Sequence, residues 1–158
     1  MTQMFWTQLD TPIGSLTLIA DEEHLLHIRF DEYLPKGAMG CRTPLLEEAV
    51  RQLEEYFAGT RQDFDLPLAP ARAGFHASCQ AHLSHIPYGE RRTYAQLADA
   101  AGNARASRAA GTACRTNPYP IVVPCHRVVR SDGQLGHYLG GDAAKRWLLE
   151  HESAHAAR

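Results

Sequence analysis

The sequence predicts an α/β protein of the α+β kind: a small N-terminal antiparallel sheet with a helix, then a mostly helical C-terminal domain containing a helix-turn-helix. Three observations carry this reading. Residues 5–30 hold three short apolar-rich runs separated by turn residues, two of them alternating. Residues 43–59 switch to helical spacing between a cap and a glycine. Beyond residue 75 helical segments follow one another, two of them joined by a very short turn.

Phe5 to Gln8, Ser15 to Ala20 and Leu25 to Phe30 read as strands, with Leu16/Leu18 and Leu26/Ile28/Phe30 in alternation. Thr11-Pro12-Ile13-Gly14 and Asp21-Glu22-Glu23 are the turns between them, and residues 31–43 are expected to be a loop. Thr43 followed by Pro44 is a helix start, and Leu46, Ala49, Val50, Leu53 and Phe57 form an apolar face to cover the sheet, with Gly59 as the stop. Residues 60–74 read as a linker, so the boundary falls between domains 1–70 and 71–158. Phe75 to His85 is expected to be a helix, stopped by Pro87-Tyr88-Gly89. Thr93-Tyr94-Ala95-Gln96 is a capping box opening a helix that Gly102 ends. A second helix is expected to start from Asn103 as cap and to carry Arg105, Arg108 and Arg115 beside small residues that permit close approach. Ser131-Asp132-Gly133 is a turn, 136–141 is a glycine-dense loop, and Asp142 is expected to cap a final helix that buries Trp147 and Leu148.

Asn117 to Val129 is the chemically suggestive stretch. Pro118, Pro120 and Pro124 fix φ and remove donors around a short apolar run, so the chain is extended there rather than helical. A lone cysteine is usually structural and buried. Cys125, however, stands between Pro124 and His126-Arg127, and positive surroundings are expected to lower its pKa and favour the thiolate. Taken alone, Tyr138 would be a surface aromatic and Glu152 a solvated carboxylate.

The 158-residue length suits one domain or two small ones, and 44% hydrophobic with 22% charged residues is globular composition. No stretch is apolar enough to span a bilayer and the N-terminus lacks signal-peptide features, so a cytoplasmic location without membrane contact is expected. Cysteines 41, 79, 114 and 125 show neither CxxC pairing nor zinc spacing, so free thiols and no metal are expected. The net charge of −2 is unevenly placed: residues 1–79 hold 6 basic and 12 acidic side chains, residues 80–158 hold 10 and 6. Within 91–130 seven arginines face the single acid Asp99, the footprint of a nucleic-acid-facing domain.

Pro124-Cys125-His126-Arg127-Val128, preceded by Asn117-Pro118 and followed by Gly136-His137-Tyr138-Leu139-Gly140-Gly141 and Lys145 to Glu152, resembles the O6-alkylguanine-DNA alkyltransferases, also called methylated-DNA–protein-cysteine methyltransferases. The resemblance covers roughly residues 75–152 and departs at Gln80, where the family usually has Trp, and at Leu139, usually small. It implies direct repair of DNA: irreversible, single-turnover transfer of an alkyl group from O6-alkylguanine, with O4-alkylthymine as a further lesion, to Cys125. By resemblance His126 is the base, Glu152 orients it, and Asn117 holds the turn beneath. Tyr138 and the backbone of Leu139, Val128 and Cys125 hold the base, Cys114 and Pro120 wall it, and Lys145 supports the loop or the leaving base. Because neighbours in an extended chain face opposite ways, His126 is expected to reach Cys125 through a water. Arg108 replaces the extruded base and Tyr94 helps push it out, while Ala109, Gly111, Arg115 and Arg127 complete the DNA surface. No cofactor is implied, since DNA is the donor, and the partner is double-stranded alkylated DNA met by a monomer with no obligate protein partner. Two other readings remain, a non-catalytic lesion binder of the same family and a cysteine hydrolase using Cys-His-Glu; the binder would lack the acceptor cysteine, and the hydrolase needs an oxyanion hole.

Overall fold

The computed structural model describes residues 2–71 and 73–156, and the chain divides into two compact units, Met1–Pro70 and Ala71–Arg158. In the first, strands β1 (Phe5–Thr11), β2 (Gly14–Ala20), β3 (Leu25–Arg29) and β4 (Met39–Gly40) form one sheet in the order β3-β2-β1-β4. β1 and β2 are a hairpin in register from Phe5↔Ala20 to Thr11↔Gly14, so β1 runs three residues past its expected end. The alternation fades there, but pairing continues to the tight turn, where the Thr11 hydroxyl donates to the Gly14 carbonyl at 2.6 Å.

The sheet is not purely antiparallel. Two residues of the expected loop, Met39 and Gly40, pair with β1 in parallel, a non-local match that two residues cannot announce. Helix α1 (Pro44–Phe57) starts as expected, the Thr43 side chain accepting from the Leu46 N–H, and packs on β1, β2 and β3. Leu46, Ala49, Val50 and Leu53 are buried; Tyr56 completes the stripe, while Phe57 is only half-buried. Residues 60–70 are not a free linker. Leu25 N–H donates to the Pro67 carbonyl at 2.7 Å, and the buried Gln52 amide bonds both backbone groups of Asp65, which ties the segment to the first unit.

The second unit holds α2 (Phe75–Leu83), β5 (Arg92–Thr93), α3 (Tyr94–Ala100), α4 (Ser107–Arg115), a 3₁₀ turn (Cys125–Arg127), β6 (Val128–Val129) and α5 (Asp142–His155). α2, α3 and α4 pack on one another, β5 pairs with β6 in parallel, and α5 lies against the 3₁₀ turn. Cys79, Leu83, Leu97, Ala110, Ala113 and Leu148 are core residues. The Thr93/Gln96 capping box is formed in both directions.

Two helix starts and the burial of one side chain differ from expectation. α4 begins at Ser107, four residues after Asn103, because the Asn103 side chain instead accepts from Arg105 N–H in a local turn. Gly141, at φ 91°, is the cap of α5, and Asp142 is its first residue, where a carboxylate still meets the positive end of the helix. Trp147 is half-buried and stacks on His151 at 4.6 Å; Leu148 and Leu149 fill the core position expected of it.

Candidate active site

The chain between α4 and the 3₁₀ turn is shaped by one side chain. Asn117 donates from Nδ2 to the Val123 carbonyl at 2.8 Å and accepts from Tyr119 N–H at 3.0 Å, while Val123 N–H bonds the Tyr119 carbonyl. The loop so closed forces buried Ile121 to φ 77°, a left-handed conformation that costs a β-branched residue roughly 1–3 kcal/mol. Such strain persists only where surroundings over-determine it, and it sits four residues before Cys125.

Cys125 is not in an extended strand. Cys125, His126 and Arg127 form a 3₁₀ turn, so successive side chains rotate by a third of a turn rather than alternating between two faces. All three are buried. Burial also overturns the expected pKa depression: it pushes the Cys125 thiol up to about 11, against a hydrogen bond from Asn117 and the charge of Lys145. The neighbouring arginine does not help, because its charge is committed elsewhere.

That commitment is to Glu152, near the end of α5. Arg127 donates from Nε to Glu152 Oε1 at 2.8 Å and from Nη2 to Oε2 at 3.0 Å, and its Nη1 donates to the Ile86 carbonyl at 2.6 Å. Arg127, 6% exposed, is therefore not part of a DNA-facing surface, correcting the expectation for it. His126 Nε2 lies 2.7 Å from Glu152 Oε2. Burial alone would raise the Glu152 carboxyl, but the bonds from His126 and Arg127 overcome it and hold it well below the usual carboxylate range. An ionised carboxylate can only accept, so His126 carries its proton on Nε2 and presents a lone pair on Nδ1. Among the described residues Nδ1 has no hydrogen-bond partner. Burial lowers the imidazole pKa, with Glu152 opposing and Arg127 and Lys145 reinforcing, so the ring is neutral at neutral pH.

The remaining predicted residues fall in two places. Cys114, Pro120, Val128 and Tyr138 are buried, Cys114 and Tyr138 near enough to Cys125 to feel its charge, whereas Leu139 is 36% exposed. Burial pushes the Cys114 thiol far up, followed by the neighbouring Cys125, so Cys114 remains protonated. Lys145 spends its donors on the carbonyls of Val128 at 2.6 Å, Leu135 at 2.5 Å and His137 at 3.4 Å, which leaves it clamping the 128–137 loop. Tyr94, Arg108, Gly111 and Arg115 line an open groove of about 850 Å³, joined there by Arg130 and His137, which the sequence reading did not single out. Ala109 beside them is half-buried on α4. Gly136 belongs to the same wall, with φ 80° and a Tyr94 hydroxyl 2.8 Å from where a Cβ would stand, so only glycine fits. Arg130 was visible only as one member of an arginine-rich stretch; His137 carried no signal apart from its loop.

A family profile described as 6-O-methylguanine DNA methyltransferase, DNA binding domain, matches residues 74–154, and one described as 6-O-methylguanine DNA methyltransferase, ribonuclease-like domain, matches residues 4–70. The chain belongs to the 6-O-methylguanine DNA methyltransferase family. It is 41% identical to the methylated-DNA–protein-cysteine methyltransferase of Methanosarcina acetivorans, over 96% of this chain and 99% of that protein. The crystal structure of Mycobacterium tuberculosis O6-methylguanine methyltransferase superposes with a TM-score of 0.88 at 38% identity, covering 97% of this chain and 94% of that one. The same Mycobacterium protein in complex with DNA superposes at 0.87, with 38% identity and coverage of 96% and 94%. Membership in this methyltransferase family places the buried Cys-His-Glu group and the arginine-lined groove in a DNA repair protein.

Proposed function

We propose that this chain repairs double-stranded DNA by moving the alkyl group of O6-alkylguanine, and of O4-alkylthymine where it fits, irreversibly onto Cys125. The observation that carries the reading is the His126–Glu152 bond of 2.7 Å, which fixes the imidazole of the residue next to Cys125 and leaves its buried Nδ1 without a hydrogen-bond partner among the described residues. A thiol whose pKa is about 11 is almost wholly protonated at neutral pH, so it needs a base. A bridging water would relay the proton to Nδ1, which has no partner among the described residues.

In the reaction the thiol proton passes to His126, the sulfur–carbon bond forms as the carbon–O6 bond breaks, and the electron pair leaves with guanine. Guanine is then reprotonated, which balances the proton taken by His126. The product is a thioether that water does not cleave, so each molecule acts once, as a monomer and without a cofactor. Tyr138 and the backbone of Val128 and Leu139 would hold the base, with Cys114 and Pro120 as walls.

A carbon within the duplex cannot meet a buried thiol, so the nucleotide must rotate out of the stack. The exposed Arg108, in the first turn of α4, would fill the gap, with Tyr94 against the backbone and Arg115 on phosphate; all three line the groove, which supports this reading. Gly111 supports α4 as the reading helix of a helix-turn-helix: a Cβ there would meet only ordinary contacts, so packing does not demand glycine, and a helix interior glycine costs about 1 kcal/mol against alanine. Close approach of DNA supplies the reason for keeping it, and the half-buried Ala109 is small for the same purpose. A Cys125→Ser variant is expected to bind methylated duplex as wild type does and to accept no methyl group; transfer by that variant would refute the reading.

A further inference from the structure

Glu152 is shared by two side chains that compete for it. Its Oε2 faces both His126 Nε2 at 2.7 Å and Arg127 Nη2 at 3.0 Å, while Oε1 takes Arg127 Nε at 2.8 Å and the Gly89 N–H at 3.3 Å. Arg127 is itself held on three sides. Its Nη1 is anchored on the Ile86 carbonyl at 2.6 Å, and the Tyr88 ring lies 5.5 Å from its guanidinium carbon. These contacts hold the fork against both oxygens of the carboxylate.

We infer that Arg127 is a positioning residue for the transfer: by gripping both oxygens of Glu152 it aims the carboxylate at His126 and limits how firmly the imidazole holds the proton it receives. A carboxylate bound to the imidazole alone would stabilise imidazolium more strongly, so the ring would stay charged to higher pH and act as a base over a narrower range. With the guanidinium on the same carboxylate, the group is neutral before the proton arrives. The other groups facing the ring do not alter this sign. Lys145 on α5 adds positive charge that also disfavours imidazolium, and Tyr138, 6.4 Å away in the 136–141 loop, stays neutral because burial raises its hydroxyl well above the ordinary range. Cys125, in the same turn, is a thiol before the reaction. This inference rests on His126 acting as the base in the proposed function.

The test replaces Arg127 with methionine and with lysine, and follows two readouts: the titration of His126 by its ring NMR signals, and single-turnover transfer from methylated duplex as a function of pH. Arg127→Met is expected to move the His126 titration upward by about one pH unit or more, the usual effect of unmasking an adjacent opposite charge. The acid limb of the rate profile should move with it, so the loss of rate is larger at mildly acid than at mildly alkaline pH. Arg127→Lys keeps the charge but not the paired bonds, so the same movement should appear, smaller; if the methionine variant does not fold, the lysine variant alone decides. A His126 titration unmoved from wild type, with transfer slowed by one factor at every pH, would mean that Arg127 is only a strut and would overturn the inference. Absence of methyl transfer by the wild type would instead remove the proposed function, and the NMR titration would still decide what Arg127 does to His126.

Discussion

Glu152 joins the last helix to the reactive turn, and its replacement separates chemistry from folding. Glu152→Gln can still accept from His126, but it leaves Arg127 as a buried cation without its counter-charge. Breaking a buried pair in this way costs about 3–5 kcal/mol, and losing the negative charge that supports the imidazole as a base slows transfer by roughly 10²-fold or more. Denaturant unfolding and single-turnover kinetics should therefore both respond, with duplex binding retained; full-rate transfer by the variant would remove Glu152 from the mechanism. The linkage has a definite sign. A carboxyl whose folded pKa is depressed stabilises the protein above its unfolded pKa and loses that contribution as pH falls through the folded value. At this scale the Pro-Cys-His-Arg run and the distant Glu152 were legible through their resemblance to known alkyltransferases. The state of Cys125 and the partner of Arg127 were not, because adjacency in sequence says nothing about burial or about which charge is already taken: Arg127 looked like a cation available to DNA and to the thiol, and it serves neither.

The elements that frame the groove are α3, α4 and the 130–137 loop, and each is set by a different kind of information. The capping box that starts α3 is local chemistry, Thr93 and Gln96 three residues apart, and so it could be read directly. The start of α4 could not, since Asn103 satisfies a neighbouring N–H in its own turn and the helix waits until Ser107. The two-residue strands β4, β5 and β6 depend on partners remote in sequence and have no periodicity to read. If α4 enters the duplex through Arg108, Arg108→Ala should lose most of its activity on methylated duplex while reacting nearly normally with free O6-methylguanine base, which needs no extrusion. Equal losses on both substrates, compared by the same single-turnover assay, would show that Arg108 supports the cysteine pocket and not the opening of the stack.

Across the whole molecule charge and burial divide the labour between the two units. Residues 1–70 carry 12 acidic against 5 basic side chains, and residues 71–158 carry 6 against 11, so electrostatic attraction to phosphate belongs to the second unit. Part of that positive charge is internal: Arg127 neutralises Glu152, and Lys145 is spent on loop carbonyls. Of the exposed groove arginines, Arg130 is paired with Asp132 at 2.8 Å, whereas Arg108 and Arg115 make no ion pair among the described residues and are the cations proposed to meet DNA. The two-part organisation was legible in the shift from alternation to helical spacing and in the uneven charge, whereas the attachment of residues 60–70 to the first unit rests on backbone pairing with Leu25 and on Gln52, neither visible in composition. The proposed function rests on one thiol, that of Cys125, acting once. Mixing the protein with excess methylated duplex and measuring intact mass and a peptide map is the decisive test: one added methyl group per protein is expected, located on Cys125, with no further repair after that equivalent is used. Methyl on Cys114, or repair continuing through several equivalents of DNA, would contradict it.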